Sequence, residues 1–211
     1  MVKIRRKVLN ENVKHLENRI DVKEIINDLK SLYAEEIFAF YQYFVPTEFL
    51  QGHERPSVQN TFKEFAMDEL TDHGTKLLKR ISELGGDITG ISHPNGLCNV
   101  AKVPYIDPAF PYTTLNLIEN NIKSEMDAIR HYQEIADKTR DRDYTTHTMI
   151  LEILADEEEH LRELKDFYAD ITGHEYDFDN NEKIDPNVVS VILPYDEYDE
   201  YDDNYATNSY F

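Results

Sequence analysis

The sequence predicts an all-α protein: an antiparallel four-helix bundle with one long crossover between its second and third helices, followed by an extended acidic C-terminal tail. Three observations carry this. Four segments repeat apolar residues at alternating spacings of three and four, the period of a helix with one buried face. The first and third connections are short, which makes antiparallel hairpins, whereas the middle one is long. After Gly173 the helical period stops and acidic residues take over.

The first helix is expected from about Val22 to Leu50, opened by Asp21 with Glu24 three residues on and closed near Gly52. The second starts near Ser57, just after Pro56, and stops at Gly85-Gly86. The third runs from about Thr114 to Lys138, and the fourth from near Asp143 to just before Gly173. The crossover, Gly85 to Tyr112, contains four prolines and shows no helical period. The chain therefore divides into an N-terminal arm (1–20), a bundle (21–172) and a tail (173–211).

The tail holds eleven acidic residues and one lysine, so 1 − 11 = −10 of the net −20 lies there. It includes YDEYDEYDDNY and one apolar island, VVSVILP, too short to bury itself. An interaction arm anchored on Val188 to Leu193 is one reading, with another subunit or protein as its target. A solvated extension is the other.

At 211 residues and 40% hydrophobic content, one domain with a sizeable core is expected. No run approaches the roughly 20 apolar residues of a membrane span, and MVKIRRKVLN lacks the apolar core of a signal peptide. Cys98 is the only cysteine, which excludes an intramolecular disulfide and points to a cytoplasmic, reducing setting. A charge of −20 argues against nucleic acid as a partner and favours divalent cations.

The chemistry sits on the buried stripes. They read Ile25, Leu29, Leu32, Glu36, Ala39, Tyr43 in the first helix and Phe62, Ala66, Glu69, His73, Leu77 in the second. The third gives Leu115, Ile118, Ile122, Glu125, Ile129, Tyr132, and the fourth Ile150, Ile153, Glu157, His160, Leu164, Phe167. Each apolar stripe is interrupted at mid-helix by a glutamate, joined by a histidine in the second and fourth. A buried glutamate costs several kcal/mol or takes up a proton unless a positive charge meets it. The stripes carry no lysine or arginine, so metal cations are the natural counter-charge, and four carboxylates with two imidazoles suit a two-metal centre. The halves echo each other: Ala and Tyr follow Glu36 and Glu125 at +3 and +7, and the glutamates are 33 and 32 residues apart within the hairpins. Tyr43 and Tyr132 are expected beside the metals, donating to ligand carboxylates across the bundle. His15, His53, His93, His131, His147 and His174 fall off the stripes or in loops and are read as surface residues.

EIFAFYQYF (36–44) resembles the first-helix segment of bacterioferritins, and LEILADEEEH (151–160) their fourth-helix Glu-x-x-His motif. With FYQYF, the Arg55-Pro56 start, RISELGG and THTMILEILADEEEH, the chain resembles the ferritin superfamily, most closely its Dps-like branch, over Ile26 to Ile171. The resemblance implies a ferritin-like bundle with Glu36, Glu69, His73, Glu125, Glu157 and His160 as di-iron ligands, the glutamates being the catalytic set and Glu69 and Glu157 bridging. It also implies a homo-oligomeric hollow shell, usually a dodecamer, that oxidises ferrous iron with peroxide or oxygen for iron storage or oxidative-stress protection. Two iron ions per subunit are expected; manganese fits the same donors.

Two features depart from the pattern. Glu69 and His73 are four apart rather than three, about 40° out of register on a regular helix, with Asp72 at the three-residue position; His73 is the preferred ligand. The family's cysteine pair is incomplete, since Cys98 is present but Asp127 stands near the second position. Two other functions remain open on the sequence: a ferritin-fold assembly component whose tail binds a partner, and a di-manganese or di-iron peroxidase or catalase. A rubrerythrin-type Cys-x-x-Cys iron domain is excluded by the single cysteine.

Overall fold

The computed structural model describes residues 14, 16, 18–107 and 112–177. These residues are all helical or irregular, with no strand among them. Helix α1 (Val22–Phe44) begins at Asp21, whose side chain accepts from the amides of Lys23 and Glu24. It ends earlier than Leu50, passing into a 3-10 turn (Val45–Phe49), because Pro46 has no N–H to continue the α ladder.

Helix α2 has three parts: Arg55–Met67, a π turn at Asp68–His73, and Gly74–Glu83. Pro56 falls in its first turn, where its missing N–H costs nothing. Gly85 adopts φ +85 to end it, and a Cβ at Gly86 would stand 2.8 Å from Ile81 and 2.9 Å from Ile26, so the chain leaves flat against α1. The crossover is not wholly irregular: α3 (Pro94–Val100) forms where His93 Nδ1 accepts from the Gly96 amide and Pro94 opens the turn. Helices α4 (Thr114–Thr139) and α5 (Tyr144–Thr172) make the second hairpin, capped by Thr113 and Asp143 and closed by Gly173 in the left-handed region.

The interior is built from the expected stripes. Leu29, Leu32, Phe62, Leu77, Ile118, Ile122, Ile150, Ile153 and Leu164 are fully buried, each worth about 1.5–3 kcal/mol of removed apolar surface. At one end Arg80 clamps Asp143 with two 2.9 Å bonds and donates to Thr146 at 2.7 Å, joining the two hairpins. Of the predicted arm, Lys14 and Leu16 are helical, and Leu16 packs into the core. Residues 178–211, which hold most of the predicted tail and its apolar island, lie outside the described residues, as does His15.

Candidate metal centre

Mid-bundle, the four helices bring together Glu36, Glu69, His73, Glu125, Glu157 and His160, each no more than 4% exposed. Their donor atoms form two overlapping groups within 4.8 Å: Glu36, Glu69, His73, Glu157, and Glu69, Glu125, Glu157, His160. Glu69 and Glu157 belong to both. His73 Nδ1 lies 3.2 Å from Glu36, 3.0 Å from Glu69 and 3.1 Å from Glu157. His160 Nδ1 lies 3.2 Å from Glu69 and 3.5 Å from Glu157.

The π turn explains the irregular spacing of the second helix. The Gly74 amide bonds to the Glu69 carbonyl, five residues back, so the helix absorbs one extra residue between Glu69 and His73. The wider turn swings His73 back under Glu69, and Asp72 is displaced outward with a 49% exposed side chain paired to Lys76 at 2.6 Å.

Tyr43 donates to Glu125 and Tyr132 donates to Glu36, each reaching across the bundle between α1 and α4. The outer nitrogens of the imidazoles face acids: His73 Nε2 is 3.4 Å from Asp156, and His160 Nε2 is 3.9 Å from Asp68. The His160 ring stacks on Phe65 at 3.9 Å, which fixes its plane.

Charge divides unevenly within the cluster. Burial, reinforced by the charges of Glu157 and Glu69, raises Glu36 and Glu125 well above the usual carboxylate range. Burial opposes ionisation of Glu69 too, but contacts with Glu36, His160 and His73 outweigh it and hold Glu69 low; Glu157 is likewise lowered by the two imidazoles. Burial disfavours both imidazolium ions, yet the carboxylates prevail: His73 is raised strongly and His160 to about 11. The cationic partners missing from the stripes as lysine or arginine are thus the two histidines themselves.

The donor set suits a pair of divalent metals. Four carboxylates and two imidazoles match iron or manganese. The Glu69 Oε1 and His160 Nδ1 atoms face each other at 3.2 Å, yet neither has a hydrogen-bond partner among the described residues. An ion between the helices would satisfy both.

Two features escaped the sequence reading. His131 is not a surface residue: it is 4% exposed, and its Nδ1 donates to Glu35 at 2.7 Å. Glu35 also accepts from Ser31 Oγ at 2.8 Å and from the backbone amides of Lys102 at 2.8 Å and Val103 at 3.2 Å, which ties the crossover to α1. His147 is half-buried, with Nδ1 donating to the Ala136 carbonyl at 3.0 Å. His53, His93 and His174 are exposed as expected. The second feature is the pair of outer aspartates, Asp68 and Asp156, each immediately before a central glutamate; the repeated Asp-Glu was a usable signal.

A four-helix bundle with one crossover and a carboxylate–histidine cluster at mid-height defines the ferritin-like class of metal-binding proteins. The family comparison agrees, for the Ferritin-like domain matches residues 26–173 and the chain belongs to the Ferritin family. A dodecameric thioferritin, the bacterioferritin-related protein of Bacteroides fragilis, is 38% identical, with a TM-score of 0.73 over 77% of this chain and 94% of its own. Dps from Thermosynechococcus elongatus shares the fold at 18% identity and a TM-score of 0.64, covering 74% of this chain and 94% of its own. The DNA protection during starvation protein of Pyrococcus furiosus is 26% identical over 144 residues, 67% of this chain and 75% of that protein. Among the described residues, no helix is long and apolar enough to cross a membrane.

Proposed function

We infer that the protein is a di-iron ferroxidase that takes up ferrous iron and oxidises it with peroxide or oxygen, for iron storage or protection from oxidative damage. The observation that carries this is the sharing of Glu69 and Glu157 between two donor groups, each completed by its own glutamate and histidine. In this reading Glu36 and His73 hold one ion, Glu125 and His160 hold the other, and Glu69 and Glu157 bridge them. Ferrous iron bound there as substrate supplies one electron per ion, and the pair reduces one peroxide.

The residues do the rest. Tyr132 and Tyr43 hold Glu36 and Glu125 in fixed orientations, Asp156 and Asp68 place negative charge near the outer imidazole nitrogens, and the surrounding leucines and isoleucines keep bulk water out. Assembly into a homo-dodecamer is supported by the Bacteroides fragilis relative, itself dodecameric; a hollow shell, a cytoplasmic setting and a role for 173–211 as an interaction arm complete the reading. A chain of charge −20 would protect DNA by consuming iron and oxidant, not by coating it.

The test is anaerobic ferrous titration followed by peroxide. About two irons per chain, oxidised at a peroxide-to-iron ratio of one to two, support the reading. Iron oxidation of undiminished rate in Glu157→Ala would place the chemistry elsewhere. Elemental analysis of protein purified without added metal separates iron from manganese, and cutting after Gly173 tests the arm by its effect on oligomer mass.

A further inference from the structure

The centre is approached from two sides whose chemistry differs, one lined by its histidines and the other by its glutamates. Between α2 and α5 lies an open groove of about 320 Å³ with the two buried histidines at its floor, walled by Glu64, Asp68, Asp72, Asp156, Glu159 and Glu163. Six carboxylates make that groove a route for cations. Between α1, α4 and the crossover lies a narrow cavity of about 20 Å³ that touches Glu36, Glu69, Glu125 and Glu157. Apart from those glutamates and Glu35, whose carboxylate is taken up by His131 and the crossover amides, its walls are apolar or neutral: Phe38, Ala39, Ala128, Val103 and Pro104, with Gln42, Ser124 and Tyr132. It admits one water-sized molecule.

We propose that this cavity is the port through which a small neutral oxidant, peroxide or dioxygen, reaches the centre, separately from the metal. Three observations support the assignment. Ala39 and Ala128 occupy the same offset, three residues after Glu36 and Glu125, and both line the cavity, so two small side chains hold it open. All four central glutamates line it, the fully buried Glu69 among them, so a molecule in the cavity touches every carboxylate of the centre. The outer wall is fixed rather than loose: Glu35 holds the Lys102 and Val103 amides, Gln42 Nε2 donates to the Ile106 carbonyl at 3.3 Å, and Gln42 Oε1 accepts from Ser124 Oγ at 3.1 Å.

Repulsion adds selectivity. A cavity of that size facing buried carboxylates excludes anions, and the dry walls disfavour a hydrated cation. Hydrogen peroxide is neutral and, end-on, no wider than a water molecule. Its reduction there balances as one peroxide and two protons taking two electrons from two ferrous ions, breaking the O–O bond to give two waters.

The inference rests on the ferroxidase reading, and the test separates the two. Ala128→Leu and, independently, Ala39→Val narrow the cavity without touching the acidic groove. Anaerobic Co²⁺ binding is measured first and should match wild type. The association rate of nitric oxide, a neutral diatomic probe, with the anaerobic ferrous protein should then fall at least about tenfold, and peroxide-driven oxidation should slow in parallel. A variant that keeps its Co²⁺ but takes up nitric oxide at the wild-type rate overturns the port and leaves the ferroxidase reading standing. Failure of the wild-type protein to bind Co²⁺ or Fe²⁺ overturns both. Should the leucine variant not fold, the smaller change at Ala39 decides the matter by the same comparison.

Discussion

Loading the centre with two divalent cations near pH 7 should expel protons, and the structure sets how many. The directions of the shifts favour neutral acids at Glu36 and Glu125, anions at Glu69 and Glu157, and cations at His73 and His160, for an expected cluster charge of 2 − 2 = 0. Two divalent ions held by four carboxylates and two neutral imidazoles also sum to 4 − 4 = 0. Reaching that state removes two protons from the acids and two from the imidazoles, about four per metal pair.

Calorimetric titration of Co²⁺ in buffers of different ionisation heat measures this directly. The apparent pair affinity should rise with pH by up to about four log units per unit while all four protons remain bound. The sign follows from the raised values, because metal competes with protons that these groups hold more tightly than in the unfolded chain. By the same linkage, the four raised groups stabilise the metal-free fold fully below their unfolded values, 4.5 for the acids and 6.5 for the imidazoles. That contribution is lost as pH rises through the folded values, about 11 for His160. The metal-free melting temperature should therefore fall from pH 6.5 to 9 relative to the loaded form. Release of about two protons per pair would show Glu36 and Glu125 already ionised, and less than about one would show the imidazoles neutral as well; either refutes the charge assignment.

Three further outcomes are expected. Glu36→Gln replaces a neutral acid by its amide and should leave metal-free stability nearly unchanged, whereas Glu157→Gln uncouples two imidazolium ions and should cost about 3 kcal/mol in denaturant unfolding. His73→Ala should weaken Co²⁺ binding by at least about tenfold while Asp72→Ala retains most of it, since His73 is fully buried in the cluster and Asp72 faces outward; the reverse ranking would make Asp72 the ligand. Glu35→Ala removes the acceptor of His131 and of the Val103 amide and one of the two acceptors of the Lys102 amide, so the melting temperature should drop by several degrees and protease should cut the crossover first; an unchanged melt would contradict its role as a tie.

The bundle was readable because its signal is periodic and strong: every stripe is apolar for several turns on either side of the glutamate, and Asp21, Gly85 and Gly173 mark the ends clearly. The six central residues followed from the same periodicity, since a charged residue on a buried stripe has few explanations. Local backbone chemistry was harder. The π turn at Asp68–His73 showed only as an awkward spacing, because its extra residue changes the helix hydrogen-bond pattern without changing composition. Pro46 carried the early end of α1, but the apolar residues around it masked the break. The Glu35–His131 pair was invisible for a different reason: its partners come from the crossover and α4, 67 and 96 residues away, and pairing at that range leaves no periodic trace.

The central claim is that two metal ions sit together between the four helices, and one measurement addresses it most directly. Crystals of the full chain grown with ferrous iron under anaerobic conditions, with anomalous data collected at the iron edge, give both the number and the position of the ions. The account predicts two anomalous peaks per chain, one between Glu36 and His73 and one between Glu125 and His160, with Glu69 and Glu157 reaching both. A single peak, or peaks confined to the acidic groove outside Asp72 and Asp156, would contradict it.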